Sequence, residues 1–259
     1  MGHHDCHEKT DDPNLTEYDI ILNSSGGKDS QAMLDVVCRR AADAGVLDRI
    51  TVLHCALGRV EWPGTADLAR RQALHYGVRY EERHREQGDL LTQVRQRGRW
   101  PSATARYCTS DQKLGPARKL VTQLVNELGA IDRPAQVLNC MGLRAQESRA
   151  RLKKAKLSPD HTASNGRREV CTWLPIHEWS ETEVWQHIRA SGVPYHPAYD
   201  AGMTRLSCSL CILGSRADLL RAARLRPDLA AEYARIEDEI GHRFRNDMSM
   251  AEIITGANP

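Results

Sequence analysis

Aromatic side chains are scarce, with one Phe, five Trp and seven Tyr in 259 residues, so a core built from this chain must be aliphatic. Charge of a single sign is lacking too. The 36 Lys/Arg against 34 Asp/Glu leave +2, and a nucleic-acid role must therefore rest on local charge. No apolar run approaches the roughly 18 residues of a membrane span. The opening MGHHDCHEKTDDPN has neither the apolar centre of a secretory signal nor the Arg-rich amphipathic character of a transit peptide. A cytoplasmic address without a membrane partner is expected, and with it reduced thiols. Internal repeats are absent. What remains is the composition of a soluble globular protein, 41% hydrophobic and 27% charged, long enough for one large domain or two small ones. Eight cysteines in a reducing compartment are ligands, nucleophiles or buried fillers sooner than disulfides.

The most informative stretch is YDIILNSSGGKDSQAMLDVVCRR, residues 18–40. Ile20, Ile21 and Leu22 form a short run of buried-strand type. Ala32, Met33, Val36 and Val37 fall on one stripe of a helix. Between them lies a polar, glycine-rich turn. A strand, a tight turn and a helix start point free backbone N–H groups and the positive end of the helix dipole at one spot. Lys28 adds a point charge there. The pattern is not a Walker A loop, which needs Ser or Thr after the lysine where this chain has Asp29. Taken alone, the turn suits phosphate or sulfate; steric demand for glycine is the other reading.

Strands and helices then alternate. Strand DIILNS precedes a helix over 30–45, strand ITVLHCAL covers 50–57, a helix covers about 64–77, and RYEERH is a short strand. QLVNELGA ends another helix, and AQVLNCMGL (135–143) is a buried strand. Ser180 and Glu183 form a capping-box start for SETEVWQHIRASG, and ADLLRAARL and PDLAAEYARIEDEIGHRF continue as helices. This predicts an α/β protein with an open, mostly parallel sheet flanked by helices and a mainly helical C-terminal part. The expected division is a disordered tail (1–15), a nucleotide-binding α/β domain (16–175) and a helical region (176–259). His3, His4, Cys6 and His7 in the tail could chelate a metal adventitiously. In such sheets ligands bind beyond the carboxyl ends of the strands. The turn at 24–30, LGRVEWPGT after the second strand and GLRAQESRAR after the 135–143 strand are expected to converge on one nucleotide-sized cleft.

At this point a family becomes visible. SSGGKDS resembles the PP-loop of the ATP-pyrophosphatase superfamily. GRVEWPGT, MGLRAQESRARL, WLPIHEWSETEVWQHI, GVPYHPAYDAG and Cys208-x-x-Cys211, in that order, are similar to the phosphoadenosine-phosphosulfate (PAPS) reductase-like branch. The resemblance implies the adenine nucleotide alpha hydrolase-like fold and an adenine nucleotide, ATP with Mg²⁺ or a sulfonucleotide (PAPS or APS). Ser24, Ser25, Gly26, Gly27, Lys28, Asp29 and Ser30 would hold its phosphates or sulfate. It places Arg144 on the same anion, for which a surface pair with Glu147 is the plainer alternative. Glu61 and Thr65 become weaker candidates beside the nucleotide, with packing as the competing role of Trp62. The catalytic candidates are Lys28, Asp29 and Arg144, and Arg106 and Lys113 are further anion-positioning residues.

Sulfonucleotide reductases of this branch carry a catalytic cysteine near the C-terminus, in a Glu-Cys-Gly-type motif. Here Cys211 is the last cysteine, so that mechanism lacks its thiolate. Cys108, Cys208 and Cys211 sit in polar, Arg-bearing segments, whereas Cys38, Cys55 and Cys140 read as core fillers and Cys171 is ambiguous. A C-x-x-C pair plus one distant cysteine suits a metal. Cluster-bearing relatives use a Cys-Cys pair where this chain has Cys108 alone, so three ligands for a [4Fe–4S] cluster remain and one iron would stay open. Zinc with His196 or Cys171 as fourth ligand is the alternative, as are a redox pair and no metal. The implied chemistry is adenylation coupled to sulfur transfer, with a cysteine desulfurase as candidate sulfur donor. A sulfonucleotide reductase using an external thiol and a non-catalytic nucleotide-binding subunit are the competing readings. Between Gly88 and Lys119, seven Lys/Arg face only Asp89 and Asp111, and RAQESRARLKKAK adds six more. Such runs are usually solvated faces, but they also suit DNA or RNA as a polyanionic acceptor. Trp100, Tyr107 and Trp173 could stack bases or pack.

Overall fold

The computed structural model describes residues 12–24, 26–129 and 131–258. His3, His4, Cys6, His7 and Ser25 lie outside these residues. The chain divides into two units that interleave along the sequence: residues 1–54, 66–82 and 118–195, and residues 55–65, 83–117 and 196–259.

The first unit is organised by a six-stranded sheet. Its strands are β1 (Ile20–Ser24), β2 (Ile50–Cys55), β3 (Arg79–Arg83), β4 (Ala135–Cys140), β5 (Leu157–Pro159) and β6 (Arg168–Trp173), in the order β3-β2-β1-β4-β6-β5. The β1–β2, β1–β4 and β4–β6 pairs are parallel, and β5 lies antiparallel to β6. Central strands of a parallel sheet are covered on both faces and so read as near-continuous apolar runs. Ile20, Ile21 and Leu22 in β1 and Val137 and Leu138 in β4 are accordingly buried. The helices of this unit are α1 (Lys28–Asp43), α2 (Thr65–His75), most of α5 (Gly115–Glu127), the short α6 (Arg149–Leu152) and α7 (Glu181–Ser191). Ser180 and Glu183 make both hydrogen bonds of the capping box expected at α7. The core joins Ile21, Met33, Leu34, Val37, Ile50, Leu138, Trp173 and Ile188. Leu15, within the stretch expected to be a disordered tail, is buried in that core behind a turn capped by Asn14.

Strand order reverses beside β1: the chain builds β2 and β3 on one side, then returns to lay β4 on the other. That switch point is where an open α/β sheet presents a crevice beyond its carboxyl ends. The polar turn follows β1 and the GLRAQES segment follows β4, so two of the three expected segments arrive there, whereas LGRVEWPGT (57–65) belongs to the second unit.

The second unit is mainly helical. It contains α3 (Leu90–Arg97), α4 (Tyr107–Thr109), a π-helical stretch (Ser110–Leu114), α8 (Arg216–Leu225), α9 (Pro227–Ile240) and α10 (Met250–Ala257). Asp89 caps α3 by accepting from the Thr92 N–H, and Gly98 closes it in the left-handed conformation. Its separate core gathers Trp62, Leu91, Trp100, Tyr107, Leu219, Tyr233, Phe244 and Ile253. Among the described residues, no helix is long and apolar enough to cross a membrane.

Candidate functional site

The N-terminus of α1 is built for an anion. Gly26 has φ +133°, a conformation only glycine adopts readily. Gly27 occupies the N-cap and has no side chain with which to cap, so the first N–H groups of α1 keep their donors. Lys28 is 4% exposed. Its ammonium lies 3.5 Å from Asp29 Oδ2 and 3.5 Å from Glu181 Oε1, at the first residue of α7. Arg144, 3% exposed, donates from Nε to Asp29 Oδ1 at 2.6 Å and from Nη1 to Gln146 Oε1 at 3.0 Å. Buried cations require such partners.

The surface pair once open to Arg144 does not form. Glu147 accepts from the Arg144 backbone N–H (2.9 Å) and its carboxylate pairs with Arg151, leaving the guanidinium to face α1. Gly142 makes that approach possible. A Cβ there would stand 2.7 Å from the Asp29 carbonyl oxygen and 2.9 Å from the Ser30 nitrogen. A Gly142→Ala chain is therefore expected to lose about 1–3 kcal/mol of stability and to bind nucleotide more weakly. Thermal melts with and without an ATP analogue measure both effects, and an unchanged melting temperature would show that the loop can give way. Sequence reasoning placed Lys28, Asp29, Ser30 and Arg144 in this site but missed Glu181 and Gln146, which arrive from α7 and the loop after β4. Ser24 ends β1, and Ser30 is half-buried in the first turn of α1.

The remaining candidates fall in the second unit. Cys108, Cys208 and Cys211 line one cavity of about 30 Å³ with Leu90, Trp100, Ile212, Tyr233 and Phe244. Burial pushes the Cys208 thiol up to about 12; neighbouring Cys211 adds to the rise and Lys113 opposes it. Burial also raises Cys108, Cys211 again adding to it, while Thr109, Lys113 and Arg106 oppose it. Arg106 and Lys113 are exposed, and their charge acts on the thiols of this unit. The π-helical turn carries Lys113, whose carbonyl accepts from Cys55 Sγ at 3.5 Å. Glu61 belongs here as well, close enough to Cys55 and Cys208 to raise both. Thr65 donates to the Trp62 carbonyl at 2.8 Å, and Trp62 is buried in the core as packing predicts. Three soft thiol donors on one cavity, with cations nearby to balance thiolates, fit a thiophilic metal or cluster by their chemistry. Among the described residues, no three His, Cys, Asp or Glu side chains already stand as a metal-holding group.

The C-x-x-C loop is anchored at its middle. Ser209 donates its N–H to the Val60 carbonyl at 2.8 Å, and its hydroxyl accepts from Arg226 Nη1 at 2.9 Å. Arg226 also donates to the carbonyls of Glu61 (2.5 Å) and Arg59 (3.1 Å). Arg226→Ala removes three charge-assisted contacts at once, for an expected loss of about 2–3 kcal/mol. Cys208 and Cys211 should then alkylate faster than buried Cys38, as mass spectrometry of iodoacetamide-treated protein would report. Equal rates in both chains would show that the loop holds itself.

Several expectations change. Cys55 is no core filler: it ends β2 half-buried, in the unit that holds the other candidate thiols. Cys171 is disulfide-bonded and buried in the sheet core, which removes it as a zinc ligand and departs from the expectation of reduced thiols throughout. His196 uses both ring nitrogens, Nδ1 accepting from the Ala198 N–H (3.1 Å) and Nε2 donating to the Pro63 carbonyl (3.2 Å). It has no lone pair to give a metal. The three candidate stacking aromatics are packed. Trp100 stacks on Tyr233 at 4.9 Å, Tyr107 donates to the Arg99 carbonyl at 2.6 Å, and Trp173 is fully buried.

A mostly parallel sheet that brings a glycine turn, a buried lysine and a buried arginine to its switch point is the architecture of an α/β protein of PP-loop type. Residues 19–213 match the phosphoadenosine phosphosulfate reductase domain, and the chain belongs to that family. It is 30% identical to the adenosine 5′-phosphosulfate reductase of Allochromatium vinosum over 197 residues, which cover 74% of this chain and 67% of that protein. An uncharacterized 37.8 kDa protein of Escherichia phage 186 is 28% identical over 141 residues, 54% of this chain and 40% of the phage protein. The fold is shared with Candida glabrata FMN adenylyltransferase in complex with FMN and the ATP analog AMPCPP. That structure has a TM-score of 0.50 at 13% identity, covering 74% of this chain and 56% of that one. The sheet and its flanking helices are thus those of the adenine nucleotide alpha hydrolase-like fold.

Proposed function

We propose that this chain is an adenylating enzyme: it binds ATP with Mg²⁺ at the N-terminus of α1 and couples pyrophosphate release to sulfur transfer. The observation that carries the reading is the convergence of buried Lys28 and Arg144 with Asp29 at an uncapped helix start. An acceptor oxygen attacks the α-phosphorus, forming an O–P bond as the bond to the pyrophosphate oxygen breaks. The N–H groups of residues 26–30 and Lys28 stabilise charge on the departing pyrophosphate. Arg144 fixes Asp29 and so the turn, and Asp29 would assist the metal. The terminal sulfur of a persulfide, carried by a donor such as a cysteine desulfurase, then displaces AMP from the activated acceptor. A second thiol on the donor cleaves the resulting S–S bond, leaving the sulfur on the acceptor and the donor oxidised to a disulfide. Cys108, Cys208 and Cys211 would hold a [4Fe–4S] cluster, or zinc, and a cluster bound there supplies an iron open to sulfur.

The exposed Arg99, Arg106, Lys113 and Arg205 of the second unit suit a polyanionic acceptor, DNA or RNA. Packing of Trp100, Tyr107 and Trp173 leaves contacts to phosphate rather than base stacking as the means of binding. A second reading, reduction of APS or PAPS by an external thiol, is favoured by the 30% identity to an adenosine 5′-phosphosulfate reductase over most of the chain. Assays on the purified chain separate the readings. Pyrophosphate from ATP supports adenylation, and sulfite from APS or PAPS supports reduction. Tight nucleotide binding without either product supports a non-catalytic subunit.

A further inference from the structure

We infer that Glu181 makes the α1 site selective for a nucleotide arriving as its magnesium complex over a metal-free sulfonucleotide. The inference rests on the nucleotide-binding reading above and names the form of the ligand. A site made only for phosphate or sulfate needs cations and N–H donors. This one holds two cations, Lys28 and Arg144, and two carboxylates, Asp29 and Glu181, so its formal side-chain charge is balanced. Lys28 Nζ is 3.5 Å from each carboxylate, and Asp29 is further tied to Arg144.

Glu181 is held in place. Its backbone N–H donates to Gln146 Oε1 at 3.1 Å, the same oxygen that accepts from Arg144 Nη1. The capping box of Ser180 and Glu183 fixes the start of α7 on which Glu181 stands. The carboxylate is therefore presented to Lys28 by a rigid element, although its side chain is 52% exposed.

A bare polyphosphate or sulfonucleotide meets this second carboxylate as repulsion and must compete with it for Lys28. A magnesium complex carries about two fewer negative charges and brings a hard cation that takes carboxylate and water oxygens. Asp29 and Glu181 offer those oxygens, and an engaged Glu181 leaves Lys28 to the phosphates. The added carboxylate thus penalises the metal-free anion and assists the metal-bound one.

Calorimetric titration of the full chain with α,β-methylene ATP, in excess Mg²⁺ and in EDTA, and with APS in EDTA, tests this. Wild type should favour the magnesium complex by about tenfold or more, and Glu181→Gln should shrink that preference by about fivefold to tenfold, the scale of one partly exposed charge contact. The change should come chiefly from tighter binding of the two metal-free ligands. Glu181→Asp, which retreats by one methylene, should fall between. Glu178→Gln, a nearby carboxylate paired with Lys156 and 72% exposed, should leave the ratio unchanged. A ratio that Glu181→Gln does not move, with nucleotide still bound, overturns the role of Glu181 and leaves the nucleotide-binding reading standing. Failure of wild type to bind any adenine nucleotide overturns both.

Discussion

Lys28→Ala is expected to cut pyrophosphate release from ATP by about 10²–10³-fold, the cost of losing one preorganised charge aimed at a developing anion. The magnitude follows from where the lysine stands. It is 4% exposed, so its charge acts through little water, and it begins the helix whose dipole favours the same anion. Its removal also leaves the carboxylates of Asp29 and Glu181, each 3.5 Å from the missing ammonium, facing a phosphate with nothing between them. Lys28→Arg keeps the charge but places a planar fork where a compact ammonium fits, so it should recover only part of the rate. Melting temperature separates a chemical effect from a folding one, because Asp29 retains Arg144 in either variant. If the alanine variant folds and releases pyrophosphate at the wild-type rate, the chemistry does not occur at α1.

Much of this site was legible because its elements are local in sequence. Ile20 to Ser30 is a strand, a turn and a helix start within eleven residues, and periodicity with one glycine pair is enough to see it. Arg144 came from a resemblance, but its position also follows from topology, since β4 must lie beside β1 once β2 and β3 fill the other side. Glu181 and Gln146 were not legible. The capping box identified Ser180 and Glu183 by their spacing, yet Glu181 between them has no local signature, and only the packing of α7 brings it to Lys28. The strand β6 escaped for a different reason. Arg168–Trp173 buries four of its residues and leaves Glu169 and Thr172 half-buried, but three of its six residues are Arg, Glu and Thr, and a six-residue window is short for judging a period. The helices α3 and α10, eight residues each, are likewise carried more by their caps and tertiary packing than by an extended stripe.

The cysteines show what residue type and spacing cannot decide. Cys55 and Cys140 both end sheet strands with similar apolar neighbours, and both read as fillers. Cys140 is fully buried, whereas Cys55 bonds the carbonyl of Lys113 in the unit that carries Cys108, Cys208 and Cys211. No pattern in the chain announces that difference, because residues 55–65 and 83–117 join 196–259 only through tertiary contacts.

Chains purified without oxygen and reconstituted with iron and sulfide should carry about four iron and four sulfide each, and Cys108→Ala should carry less than about one. The expectation rests on Cys108, Cys208 and Cys211 sharing one cavity wall. Of the three, Cys108 has no sequence neighbour to replace it. Losing a lone ligand leaves two thiols three residues apart, which can hold a single ion but not a cubane. Cys38→Ala is the control, since Cys38 is buried in the helix α1 of the other unit and should leave the iron content unchanged. Lys28→Ala should leave it unchanged as well, which separates cofactor loading from nucleotide chemistry. An absorbance band near the visible edge that vanishes with Cys108 alone would tie the cluster to these thiols. One zinc per chain, insensitive to iron and lost with any of the three cysteines, would instead make the trio structural. Sulfur delivery would then fall to a thiol outside this chain, and reduction of a sulfonucleotide by an external thiol would become the better reading.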